Sequence, residues 1–359
     1  MAACLRCGQR PDLRGDPVIG RVVQITIGFA ISAVAIYFLL QQVSLAQVGQ
    51  ALSRAQLTPL LFVVVTVLGS LVTRAARWQV YFLPKRRVPF NPLLGTLAIS
   101  YMASTFLPLR AGELVRAVFL GQRERIPIPV VVGTILLEKL FDFLAIGVLL
   151  ALLVALTPLP AAAQVAAASI TSVILVGFAF VVALAIWRRP TLMFVAMVEN
   201  ALPFGVGPRL RLHDAARDFA EGTDSLKVPS LWIGLLGWTA VTWVFSIGST
   251  WAGAVALGVQ PGLAAILFVV VLTSTGQAVP SSPGYVGVYH AASVLALTAF
   301  GVDPATALGV ALITHAFSYG TLVVAGMVAL WTGGYSFDDL VRGTRSRATV
   351  SPSTVAAEP

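Results

Sequence analysis

Residues 108–142 read PLRAGELVRAVFLGQRERIPIPVVVGTILLEKLFD, and this stretch decides what kind of protein the chain is. Arg110, Glu113 and Arg116 are spaced three apart, which puts them on one face of a helix. Glu138, Lys139 and Asp142 follow inside Ile135–Leu153, a run otherwise apolar enough to lie in hydrocarbon. Glu138 and Asp142 are four apart, so they too share a face. A charge at the centre of a membrane helix costs about 2.5–3.5 kcal/mol on insertion scales. Charges retained at that cost have a use. The three basic residues balance the three acidic ones, so the stretch predicts mutual ion pairing inside a bundle of helices.

Working outward, the 359 residues are 57% hydrophobic and 11% charged, with several continuous apolar runs. That composition specifies an integral membrane protein of helical spans, because barrel strands would alternate polar and apolar positions. The net charge of +9 is gathered in short clusters between apolar runs, as positive-inside topology requires, and nucleic-acid binding is set aside. Cys4 and Cys7 form a lone C-x-x-C. A zinc site needs about four ligands, so two thiols on a tail is the reading.

In chain order, residues 1–19 form a polar cytoplasmic tail, without the pattern of a cleaved signal peptide. Residues 20–331 form the transmembrane domain, and 332–359 a cytoplasmic, partly disordered tail rich in Ser, Thr, Pro and Ala. About six full spans are expected, near Arg21–Leu40, Thr58–Trp78, Pro127–Leu156, Val165–Trp187, Leu231–Leu257 and Pro304–Trp331. Arg74 and Arg77 are expected to snorkel to the surface, with Trp78 and Tyr81 in an interfacial aromatic belt. The cytoplasmic loop 188–228 is too small for a conventional catalytic domain, and His213 and Asp214 read as part of a charge-mixed surface helix.

Two further segments, around 91–125 and 263–300, read as re-entrant helical hairpins rather than full spans. Pro108 and Gly112 mark the bend of one, Pro280 and Gly284 that of the other. Their flanking spans run in opposite directions, which is the layout of an inverted repeat whose broken helices meet near the midplane. The fold class is therefore an all-α polytopic membrane protein.

R-x-G-E-x-x-R after a proline (Arg110–Arg116), followed by a helix carrying E-K-x-x-D (Glu138–Asp142), resembles the transmembrane region of lysylphosphatidylglycerol synthase/flippase proteins. PSSPGYVGVYHAASVLALTAFG (Pro280–Gly301) resembles that family's late P-x-x-P-G-x-x-G motif. With Arg77-Trp78, the likeness extends over about residues 20–330. Many members carry a glutamate just after the second motif, where this chain has Tyr289. The resemblance implies the lipid-translocating part of such proteins without the aminoacyltransferase domain of the longer relatives.

The chemistry points the same way. Arginine forks suit phosphate, and helix starts after Pro108 and Pro280 aim backbone N–H groups at one place. The candidate substrate-binding residues are Arg110, Gly112, Glu113, Arg116, Glu138, Lys139 and Asp142. From the second motif come Pro280, Pro283, Gly284, Tyr285, Gly287, Tyr289 and His290, with His315 and Tyr319 as weaker candidates. No Ser/His/Asp set or nucleotide-binding segment stands out, and no cofactor or metal is expected. The expected function is flippase-like transport of an anionic phospholipid or polyprenyl-phosphate lipid across the bacterial inner membrane. The alternatives are a membrane-embedded transferase acting on a lipid-linked sugar, or a scaffold for a separately encoded lipid-modifying enzyme.

The basic clusters at 74–87, 188–189 and 342–347 place both termini in the cytoplasm. Single cysteines at Ser44–Gln56, Pro158–Pro160 and Val259–Gly262 should therefore react with an impermeant reagent from the opposite side only; labelling of Val259–Gly262 from the cytoplasm refutes the inverted arrangement.

Overall fold

The structure, a computed structural model, describes residues 26, 30, 32–38, 41, 43–83, 85–107, 111–157, 161–187, 212–278 and 282–333. Outside these residues lie Arg110, Pro108, Pro280, the Cys4/Cys7 tail, most of the Arg21–Leu40 span, residues 188–211 and the last twenty-six positions (334–359). Every regular element among the described residues is a helix. In chain order they are α1 (Leu45–Ser53), α2 (Leu57–Phe82), α3 (Phe90–Phe106), α4 (Ala111–Arg123), α5 (Ile128–Leu156) and α6 (Ala161–Ile186). There follow α7 (Leu212–Glu221), α8 (Pro229–Ala256), α9 (Leu263–Ala278), α10 (Val288–Thr298) and α11 (Pro304–Gly333). Prolines stand in the first turns of α5 and α8, where a missing N–H costs nothing.

Five helices are long and apolar enough to cross a membrane: α2, α5, α6 over Ala167–Ile186, α8 and α11. They correspond to five of the six expected spans. The sixth falls mostly outside the described residues, of which 32–38 are helical.

Contacts give the helix directions. Arg77 reaches Thr239 and Thr73 reaches Thr242, while a methyl group at Gly69 would strike the Phe245 ring. These pairs run oppositely in number, so α2 and α8 are antiparallel neighbours along most of their length. By the same test α11 is antiparallel to α3, since Gly95 faces Ala329 and Gly326 faces Ala98 and Met102. It is antiparallel to α8 as well, where Gly253 abuts Thr314 and Gly309 abuts Leu257.

Four of the remaining helices form two short antiparallel pairs, α3–α4 and α9–α10. Seventeen and sixteen residues span only about 26 and 24 Å at 1.5 Å per residue, and both partners are shorter still. Each is shorter than the roughly 30 Å thickness of a hydrocarbon core. The first pair starts beside the C-terminal end of α2, where the Gln79 side chain bonds the Val88 carbonyl. The second starts beyond the C-terminal end of α8, at the other end of the bundle. Their tips approach one another: Gly284 packs 3.3 Å, measured from the position of a Cβ, from the carbonyl of Thr105.

Glycine is required at two places in this arrangement. The carbonyl of Gly112 accepts a hydrogen bond of 2.8 Å from Ser100 Oγ, and a Cβ there would collide with Ser104 and the Ser100 carbonyl. At the second tip Gly284 and Tyr285 have φ of 65° and 59°, a left-handed break between α9 and α10 that costs little at glycine and strains tyrosine.

Residues Thr223–Leu226 are buried, and Arg86 pairs with Glu221 at 3.1 Å. α7 and the turn after it therefore dock on α5 and the end of α2, while Asp214 and Arg217 stay exposed, in keeping with a charge-mixed surface helix. The same packing corrects the aromatic belt: Trp78 is 0% and Tyr81 1% exposed.

Gly112→Ala should lower stability by about 1–3 kcal/mol through overpacking. Gly49→Ala, on a helix with nothing within 4 Å, should raise it by up to ~1 kcal/mol. Thermal unfolding of both variants in detergent makes the comparison.

Candidate functional site

The charges of α4 and α5 meet as the sequence indicates, and two more join them. Arg116 Nη2 lies 2.7 Å from Glu138 Oε2. From α2, Arg77 Nη2 lies 2.9 Å from Asp142 Oδ1 and Arg74 Nη1 lies 3.2 Å from Asp142 Oδ2. Both arginines also face Glu138 Oε1, at 3.9 and 3.7 Å. At the margin, Lys139 Nζ sits 2.7 Å from Glu113 Oε1, with each side chain about a third exposed.

Arg74 and Arg77 therefore do not snorkel. Arg77 is fully buried and donates a further bond to Thr239 Oγ1 at 3.1 Å. The reason is length: α2 continues to Phe82, so Arg74 and Arg77 lie one to two turns inside it. Lys85, Arg86 and Arg87, beyond its end, are the topological signal. Arg116 is also packed over the Trp78 ring at 3.6 Å, and Trp78 Nε1 donates to Thr134 Oγ1. That is why Trp78 is interior.

The neutral balance drawn from residues 108–142 changes accordingly. Among the described residues Arg74, Arg77, Arg116 and Lys139 face Glu113, Glu138 and Asp142, an excess of one positive charge. Arg116 Nε is buried with no hydrogen-bond partner among the described residues.

Beside this cluster lies a cavity of about 350 Å³. Arg74, Arg116, Lys139, Glu113, Glu138 and Asp142 line one part of it. Tyr285 and Tyr289 of the second motif line another, with Gln277 and Tyr319. The two motifs, 140 or more residues apart in sequence, thus face one space. Tyr319 donates to Gln277 Oε1 at 3.2 Å, and rings of Tyr289, His290, His315 and Tyr319 pack together with centroids 4.2–5.8 Å apart.

Pro283, Gly284, Gly287 and His290 shape the hairpin tip rather than line the cavity. His290 Nδ1 accepts from the Gly287 N–H at 3.2 Å, closing the first turn of α10, and Gly287 lies against the Ser32 backbone. Nothing in the sequence marks the hydroxyl-bearing wall, because Ser and Thr scattered over α8, α9 and α11 have no recognisable spacing.

A family model described as lysylphosphatidylglycerol synthase TM region matches residues 25–326. The chain is 25% identical over 310 aligned residues to glycosyltransferase AglD of Haloferax volcanii, covering 74% of this chain and 50% of that protein. The chain thus spans about half the length of this curated relative. No solved structure matches.

Removing Glu138, as Glu138→Ala, leaves Arg77 and Arg116 buried without their shared carboxylate and should cost about 3–5 kcal/mol. Lys139→Met, at the partly exposed pair with Glu113, should cost about 1 kcal/mol or less. Unfolding midpoints of the two variants separate these cases.

Proposed function

This chain belongs to the lysylphosphatidylglycerol synthase transmembrane-region family, and from that premise we propose that it translocates an anionic lipid headgroup across the bacterial inner membrane. Family and relative together support a membrane, lipid-related function; the step from there to translocation rests on the cavity. One observation carries it: a cavity inside the bundle is walled on one side by Arg74, Arg116 and Lys139, in a cluster with one positive charge in excess. Guanidinium forks bind phosphate oxygens in pairs, and Arg116 Nε has a donor to give. An anion entering this space neutralises the excess and meets donors already held in place by Glu138 and Asp142.

In this reading the pairs α3–α4 and α9–α10 are re-entrant hairpins entering from opposite faces, and both termini are cytoplasmic. Both pairs contribute to the cavity wall, Ser104, Glu113 and Arg116 from one and Gln277 and Tyr289 from the other, and the hydrocarbon chains of a bound lipid stay in lipid. The substrate is an anionic phospholipid or a polyprenyl-phosphate lipid, and the substrate-binding residues are those of the two motifs joined by Arg74. A separately encoded lipid-modifying enzyme is the protein partner this role would serve. The second reading, a membrane-embedded transferase acting on a lipid-linked sugar, is favoured by the name of the Haloferax relative.

Arg74→Lys keeps the charge and loses the planar fork. In vesicles holding purified protein and a fluorescent anionic lipid, it should slow translocation about tenfold or more, the range of one lost charge-assisted bond, with the unfolding midpoint little changed. Undiminished translocation by this variant refutes headgroup binding at the arginines. A covalently altered lipid, formed only when a soluble sugar donor is added, selects the transferase.

A further inference from the structure

The wall of the cavity away from the charges is built from α8, α9, α10 and α11, and its chemistry is different. Ser246, Thr250 and Thr273 line it, and each donates its one hydroxyl hydrogen to the carbonyl four residues back, at 2.7–3.1 Å. Tyr319 spends its hydrogen on Gln277. A hydroxyl whose hydrogen is committed still offers lone pairs. This side of the cavity therefore offers acceptors at those positions, and Ser249, Ser274 and Ser318 add hydroxyls that can serve as donor or acceptor. A ligand that fits it brings O–H or N–H donors.

Two further observations narrow the donor. Thr314 is 3% exposed, lines the cavity, and its Oγ1 has no hydrogen-bond partner among the described residues. A buried hydroxyl left in this state costs free energy unless a ligand or water meets it. The carboxylates lining the cavity, Glu113, Glu138 and Asp142, all stand at the charged end opposite basic side chains. An ammonium group among the hydroxyls would find no anion there among the described residues. Neutral hydroxyl donors fit, and Tyr285 and Tyr289 supply ring faces of the kind that pack on sugar C–H surfaces.

We propose that the anionic ligand of this cavity carries a neutral polyhydroxylated part, a sugar of one or two rings, seated against Thr250, Thr314, Tyr285 and Tyr289, with its phosphate at Arg74 and Arg116. This rests on the reading of the cavity as a headgroup site and names the headgroup's class. A volume of about 350 Å³ sits at the lower end of small-molecule sites, roughly 300–1,000 Å³, and holds no long glycan.

The test is a titration of the purified full chain in detergent with three lipids: polyprenyl phosphate, polyprenyl phosphohexose and phosphatidylethanolamine. The wild type should bind the hexose-bearing lipid about tenfold more tightly than bare polyprenyl phosphate, the worth of one or two hydrogen bonds. Thr314→Val and Thr250→Val, which keep shape and remove the acceptor, should each shrink that ratio several-fold and leave bare polyprenyl phosphate binding unchanged; two sites guard against one variant misfolding. Arg74→Lys should weaken both phosphate lipids alike. Equal affinity of the wild type for the bare and hexose-bearing lipids overturns the sugar subsite while leaving the headgroup site standing. So does valine weakening both lipids equally, or tighter binding of phosphatidylethanolamine. Failure of both phosphate lipids to bind overturns the headgroup site and the sugar subsite with it.

Discussion

The carboxylate of Glu138, 1% exposed on a helix of otherwise apolar composition, is the constraint from which the rest of the bundle follows. A carboxylate in that position must be met by cations. Its neighbour Lys139 points to Glu113 instead, so the cations come from other helices: Arg116 from α4, Arg74 and Arg77 from α2. Asp142, one turn on, takes the same two arginines of α2 at shorter range. Two acidic residues thereby fix the register of three helices. Arg77 extends the network to α8 through Thr239, and Trp78, beneath Arg116, ties it back to α5 through Thr134.

The close backbone approaches sit around this network. Gly112 lets α4 fold against α3 tightly enough to present Arg116 to Glu138. Gly326 lets α11 lie on Ala98 and Met102, and Gly253 lets α8 lie on Thr314. Four elements are thus held around the cavity with their polar side chains inward, while the lipid-facing positions of α2, α5, α6 and α8 remain exposed hydrophobics. The division of labour is physical: ion pairs set register, and glycines set distance.

An ion-pair lattice that only fixed register would have no reason to carry surplus charge. Among the described residues this one has a positive excess, a buried guanidinium nitrogen without a hydrogen-bond partner, and a cavity beside it. The hydroxyl-bearing residues of α8, α9 and α11 give the same cavity a second kind of chemistry. A ligand that is anionic at one end and rich in hydroxyl donors at the other satisfies both.

The sequence by itself determined the membrane class, the five described spans and the two interrupted segments, because run length and charge cost in hydrocarbon are local properties. It also picked out Glu113, Arg116, Glu138, Lys139 and Asp142, since a charge in an apolar helix is visible without any contact being known. Arg74, Arg77 and Trp78 were misread as interfacial for a definite reason: their depth depends on how far α2 continues past them, and Tyr81 and Phe82 leave that end ambiguous. That α2 delivers two arginines to Asp142, and that Tyr285 and Tyr289 face the same cavity as Arg116, was decided by tertiary structure alone. Helix register and the meeting of distant hairpin tips depend on packing between segments, and no periodicity within either segment encodes it.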